Sequence, residues 1–292
     1  MKHGVLILAH QYPHHLIDLI NLFDEDFFFF IHIDRRNNFT KSDFADLRKI
    51  PRVELLSSKL RVKWGGMNHL NAILLLAKAS LTRGDLGYFH VISGQDYPIK
   101  SMSYIKELSE SNPAGYLDYF EVLKSSWRTE WINRLSYFGF YEIFNSKTFL
   151  GNKLINGAIK LQRMIGFSRA LPATKLYGGS GWWSLSRETL TYVIDYTTRN
   201  PSLLRRLRFT FCADEVYFQT VLMNSPWKEK IVNNNLRFID WTERNGNFPA
   251  NLDESDYESL KKSDKIFARK FEFPVSEKLK MRIDQDLFSK HL

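Results

Sequence analysis

Three separated stretches carry side chains in settings that suit group transfer. Asp214 and Glu215 open the segment DEVYFQTVLM at 214–223. A carboxylate at a helix start either caps the helix or, on a longer side chain, reaches into a cleft as a general base. The first role suits Asp214 and the second Glu215. Arg269 and Lys270 stand together in FARKFEF, among Phe267, Phe271 and Phe273. Such a pair can stabilise a departing phosphate; taken alone it equally reads as basic surface. Asp34 ends the apolar run FFFFIHID. There it can accept from a ribose hydroxyl or a base N–H, or simply cap the next turn.

These types match the needs of sugar transfer from a nucleotide diphosphate: hold the nucleoside, neutralise the diphosphate, take a proton from the acceptor hydroxyl. Many such transfers use a divalent metal held by a D-x-D pair after a core strand. Here the matching stretch is SGQDYP, with the single acid Asp96. D-x-D does occur at Asp24–Asp26 and Asp284–Asp286, where it reads as solvated surface. If no metal binds, fixed protein cations must take the leaving charge. Trp182 and Trp183 can stack on a sugar ring, although one of two neighbours on a strand faces the core. No phosphate-binding glycine loop, dinucleotide fingerprint or histidine zinc pattern occurs, and His14 and His15 read as an exposed pair.

The elements that must position these residues follow from apolar patterning. Runs at 4–10, 27–34, 53–58 and 88–94 read as buried strands. Helical segments at 14–23, 41–49, 68–81 and 101–111 separate or follow them, with Asn68 and Ser101 as expected caps. This alternation predicts a parallel sheet with helices on both faces. Ligands then sit beyond the carboxyl ends of the strands, where His10, Asp34 and Gln95–Asp96 fall. Residues 115–145 mix aromatics and charges and read as an irregular lobe. A strand at 179–186, the helix at 214–223 and a charged terminal helix near 275–290 complete the pattern. With no repeat and no linker the chain reads as one domain, 1–292, with a nucleotide-binding half (1–112) and an acceptor and catalytic half (113–292).

With 44% hydrophobic residues the chain can build one large core. Its net charge of +9 suits an anionic partner, but the basic residues are dispersed and carry no nucleic-acid motif. A single cysteine, Cys212, excludes an intrachain disulfide framework and points to a reducing compartment. No apolar run reaches the length of a bilayer span.

Taken in order, VLILAHQYP, FFIHID, VKWGG, YFHVISGQDYPIK, GGSGWWSLSRE, CADEVYFQTVL and IFARKFEF resemble glycosyltransferase family 14, the core-2/I-branching N-acetylglucosaminyltransferases and peptide xylosyltransferases. The resemblance runs from about residue 4 to 273. It implies a GT-A-like, Rossmann-type α/β sheet flanked by helices, with an irregular acceptor-side lobe. It implies inversion without metal, from a UDP-sugar, N-acetylglucosamine or xylose, to a glycan or lipid-linked saccharide. It makes Glu215 the base, places Lys270 on the diphosphate and Asp34 near the nucleoside, and calls for a further basic residue upstream, Arg244 or Arg237. Glu130 and Arg134 match an acceptor-binding stretch. Lacking the disulfides and anchor of secreted animal members, the chain resembles a bacterial member acting in the cytoplasm, at the inner face of the membrane. The competing class is a glycan- or anionic-lipid-binding protein on a degenerate transferase fold.

One stretch stands apart from the resemblance. Between Glu142 and Glu188 there is no acid, while Lys147, Lys153, Lys160, Arg163, Arg169, Lys175 and Arg187 fall there. Leu154, Ile155, Ala158, Leu161 and Ile165 recur beside them at helical spacing. A basic amphipathic helix of this kind suits an anionic membrane, at about 1 kcal/mol per basic residue. It equally suits packing on the core.

Overall fold

The computed structural model describes residues 1–172 and 175–287. The apolar runs form strands that alternate with helices: β1 (Lys2–Ala9), α1 (Pro13–Asn21), β2 (Phe27–Ile33), α2 (Lys41–Lys49), β3 (Val53–Ser57), α3 (Met67–Ser80) and β4 (Leu86–Ser93). Next come β5 (Tyr97–Pro98), α4 (Met102–Ser111), β6 (Gly115–Leu117), β7 (Phe120–Glu121), α5 (Arg128–Ser136) and α6 (Phe149–Met164). The remainder is β8 (Tyr177–Gly178), β9 (Trp183–Ser186), α7 (Arg187–Arg199), α8 (Pro201–Leu207), α9 (Asp214–Met223), β10 (Arg237–Ile239), α10 (Tyr257–Lys262), β11 (Phe267–Arg269) and α11 (Glu277–Leu287).

The central sheet runs β3-β2-β1-β4-β9-β6. Its first four strands are parallel, and β9 lies antiparallel to both β4 and β6. A strand buried on both faces must be apolar at every position, and FFFFIHI in β2 is buried throughout. Side-chain alternation sends Leu6, Phe28, Phe30 and Val91 to one face, against Leu70, Ile73 and Val216. It sends Val5, Phe27, Phe29 and Ile92 to the other, against Leu16, Ile105 and Phe267. The expected α/β, GT-A-like architecture is thus the one observed.

Two features bring distant residues to the strand ends. A small sheet, β10-β11-β5, pairs β11 antiparallel to β5, just past the end of β4. The Phe271 N–H donates to the Gln95 carbonyl at 2.8 Å, which seats Arg269–Lys270 beside the carboxyl end of β4. Helix α9 is buried at every position but Glu215. A helix enclosed on all sides belongs to the core.

Some local expectations need correction. Helix α3 starts from Gly66, and Asn68 lies inside its first turn, its N–H donating to Glu142 Oε1 at 2.8 Å. Here the cap comes from the lobe instead of a neighbouring residue. Ser101 does cap α4, accepting from the Tyr104 N–H. Asp214 follows Ala213, the residue at the cap position, and caps nothing. His15 is buried, stacked on Tyr97, rather than exposed like His14.

Candidate active site

The site lies where β1, β2 and β4 end and α3 and α9 begin. Asp34 follows β2. Its Oδ1 accepts from the N–H groups of Arg36 (3.0 Å) and Val62 (3.2 Å). That is the turn-capping role; Oδ2 takes no hydrogen bond from the described residues. His10 follows β1 and is exposed. Its pKa is lowered by desolvation and by nearby Lys147, a residue whose place here sequence reading missed.

Asp96 is fully buried and so is not open to a ligand, contrary to the expectation for it. It accepts from Ser93 Oγ at 2.7 Å and the Ser93 N–H at 3.0 Å. Its Oδ1 lies 3.5 Å from Arg269 Nε. Asp96 therefore steadies Arg269, whose guanidinium carbon sits 4.2 Å above the Trp182 ring. The edge of His69 meets that ring, with 5.9 Å between centroids. His69 Nδ1 in turn lies 2.9 Å from Asp214 Oδ2. A continuous row thus joins Asp96, Arg269, Trp182, His69 and Asp214. Glycine at 181 is required for it: a Cβ there would fall 2.5 Å from Asp214 Oδ2.

Lys270 extends the row beyond Arg269. It is half-buried, and its Nζ forms no hydrogen bond or ion pair with the described residues. Burial, Arg269 and Lys147 push its pKa down to about 8. A cation held without an anion is an open place for one. Glu215 extends the row on the other side. Desolvation and the adjacent Asp214 raise its carboxyl to about 7, against the opposing pull of Arg134 and His69. Arg134 Nη1 lies 3.1 Å from Glu215 Oε2, and its other arm pairs with Glu130. Arg134 also stacks over Trp131 at 4.7 Å and Phe211 at 5.0 Å.

The remaining candidates are placed differently. Trp183 is fully buried against Phe218 and faces the core, so of the tryptophan pair only the half-buried Trp182 lines the cleft. Arg237 is buried too, donating to the Val91 and Trp183 carbonyls and to Ser184 Oγ. Arg244 is part-exposed and held by Asp240, Asp253 and Asp256. Both D-x-D pairs are engaged: Asp24 and Asp26 close on Lys106, Asp284 pairs with Lys280, and Asp286 pairs with Lys261. His69 carried no sequence signal; only the fold brings it to Asp214. Trp64, of the VKWGG stretch, is exposed and meets Phe211 edge-on at 5.0 Å, beside Arg134.

A model of the core-2/I-branching enzymes matches residues 6–263. Similar proteins include xylosyltransferase 2 of Canis lupus familiaris, 26% identical over 92% of this chain and 31% of its own length. Xylosyltransferase 1 of Mus musculus is 25% identical over 91% of this chain and 28% of its own. Xylosyltransferase 1 of Homo sapiens is 24% identical over 92% and 28%. The chain spans about a third of the length of these curated relatives. With a match across most of its strands, helices and cleft, this chain belongs to the core-2/I-branching family of glycosyltransferases.

Proposed function

We propose that this chain is an inverting, metal-independent transferase that moves a sugar, N-acetylglucosamine or xylose, from UDP to a glycan hydroxyl. One observation carries the reading: a carboxylate tuned to about 7 and a half-buried lysine without a partner among the described residues lie at opposite ends of one packed row around Trp182. Glu215 takes the proton of the acceptor hydroxyl as that oxygen attacks the anomeric carbon. The bond from that carbon to the diphosphate breaks on the opposite face. Lys270 takes up the negative charge as it forms, with Arg269 adding field from beneath. Of the two upstream basic residues, Arg237 is buried and Arg244 is held by three carboxylates, so Lys270 is the main candidate for the diphosphate. Asp34 Oδ2 is free to accept from the nucleoside. On the acceptor side, Arg134 and Glu130 offer hydrogen bonds, and Trp182 and Trp64 offer faces for sugar rings.

The test is a UDP-sugar panel assayed for hydrolysis and transfer with EDTA present throughout. Glu215→Gln should lower turnover by about 10²–10⁴-fold, as expected for loss of a general base. UDP affinity should stay within a factor of about two. Normal turnover in that variant, or activity that appears only when a divalent cation is restored, would refute the reading.

A further inference from the structure

Helix α6 is attached to the body along one side only. Ile155 is buried there, and the Gln162 amide bonds Phe138 in both directions, donating to its carbonyl at 3.0 Å and accepting from its N–H at 2.9 Å. The other side is apolar and open. Phe149 is 86% exposed, Leu150 65%, Leu161 58%, Met164 73% and Ile165 69%. Scattered exposed apolar residues are ordinary, whereas a contiguous patch marks a contact surface. Helical spacing gathers 149, 150, 153, 157, 160, 161 and 164 on this outer side. Lys153 and Lys160 stand among the apolar residues, with Lys147 just before the helix and Arg163 at its flank, all exposed.

The charge of the region selects the partner. No Asp or Glu occurs between Glu142 and Glu188. A second copy of this face would set lysine against lysine with no acid to pair. A polyphosphate strand would match the lysines but leave Phe149 and Met164 in water. A surface that offers acyl chains just below a layer of phosphates satisfies both. We propose that the outer face of α6 is a docking surface for an anionic lipid bilayer. Phe149, Leu150, Leu161 and Met164 enter the acyl boundary, and Lys147, Lys153 and Lys160 meet headgroup phosphates. Lys147 lies near enough to His10 and Lys270 to act on their charges. The docking face therefore begins at the rim of the cleft.

The test is sedimentation of the whole chain with phosphatidylcholine vesicles, with and without phosphatidylglycerol. The expected result is binding to the anionic vesicles only, weakening as salt rises. The double change Lys153→Gln/Lys160→Gln should lower the partition coefficient by about five-fold per charge. Leu161→Ser/Met164→Ser should lower it by more than about ten-fold, with an unchanged circular dichroism spectrum in both variants. No binding, or equal binding to neutral vesicles, would overturn the proposal. So would a solution dimer that the Leu161→Ser/Met164→Ser change dissociates, which would assign the face to a second copy. No sugar donor enters the assay, so the result is independent of the role given to Glu215.

Discussion

Desolvation and Asp214 lift the Glu215 carboxyl to about 7, and burial beside Arg269 lowers the Lys270 ammonium to about 8. In the proposed mechanism Glu215 works deprotonated, so kcat/KM should fall as pH drops below about 7. In the same proposal Lys270 meets the diphosphate protonated, so kcat/KM should fall again above about 8. A bell peaking in that narrow window is the expected profile of the free enzyme. Arg134 favours the charged form of Glu215, and Arg134→Met should therefore move the acid limb to higher pH; an unmoved limb would detach the base from Glu215. Lys270 yields a second, sharper prediction. Its pKa is depressed because the fold disfavours its charge, so at neutral pH the charged ammonium weakens the free protein. Lys270→Met should raise the melting temperature of the unliganded chain yet weaken UDP binding by about 10–100-fold, the worth of a charge-assisted hydrogen bond. Scanning calorimetry and UDP titration read the two effects separately. Loss of both stability and binding would mean that Lys270 is structural.

At the scale of elements, what was legible followed burial. Strands β1, β2 and β4 are enclosed on both faces, so apolar content marks them without any partner being known. Helices α3 and α9 and the pairing of Asp214 with Glu215 at a helix start were legible for the same reason. Short strands such as β6, β7 and β8 are set by partners many residues away and carry no pattern of their own. That is why 115–145 read as irregular although it holds α5, the helix that brings Arg134 to Glu215. The same limit hid the His69–Asp214 contact, and left undecided which of Trp182 and Trp183 faces the core. Strand β6 also bears a testable constraint. Gly115 has φ +131°, and a Cβ there would lie 2.6 Å from the Ser184 carbonyl oxygen and 2.8 Å from Leu185 Cα, both backbone atoms of β9. Gly115→Ala should cost about 1–3 kcal/mol, the usual cost of overpacking, read from the urea midpoint. An unchanged midpoint would show that β6 can shift without loss.

For the whole molecule, stability should depend on acid through buried imidazoles. Burial holds His3 and His15 down to about 4 and His90 well below its ordinary value. The unfolded chain binds these protons near 6.5 and the folded chain does not. Stability is therefore complete above about 6.5 and lost as pH falls toward 4, by up to about 3 kcal/mol for each of His3 and His15. Glu215 acts in the opposite sense, as do His69, Glu142 and Asp118, since a raised pKa favours the folded state as pH falls; His10 and His32, also lowered, add to the three deeply buried imidazoles. The urea midpoint should thus drop between about pH 7.5 and about pH 5; a constant midpoint would place those imidazoles in contact with water. One feature sets a boundary on how this molecule can change. Nine of the ten residues of α9 are enclosed, and the tenth is Glu215. A lineage can redraw the loops around the cleft while the carboxylate proposed as the base stays fixed. Any change in the girth of Tyr217 or Phe218, both fully buried, would register by contrast as lost stability, because the packing that fixes Glu215 is the core itself.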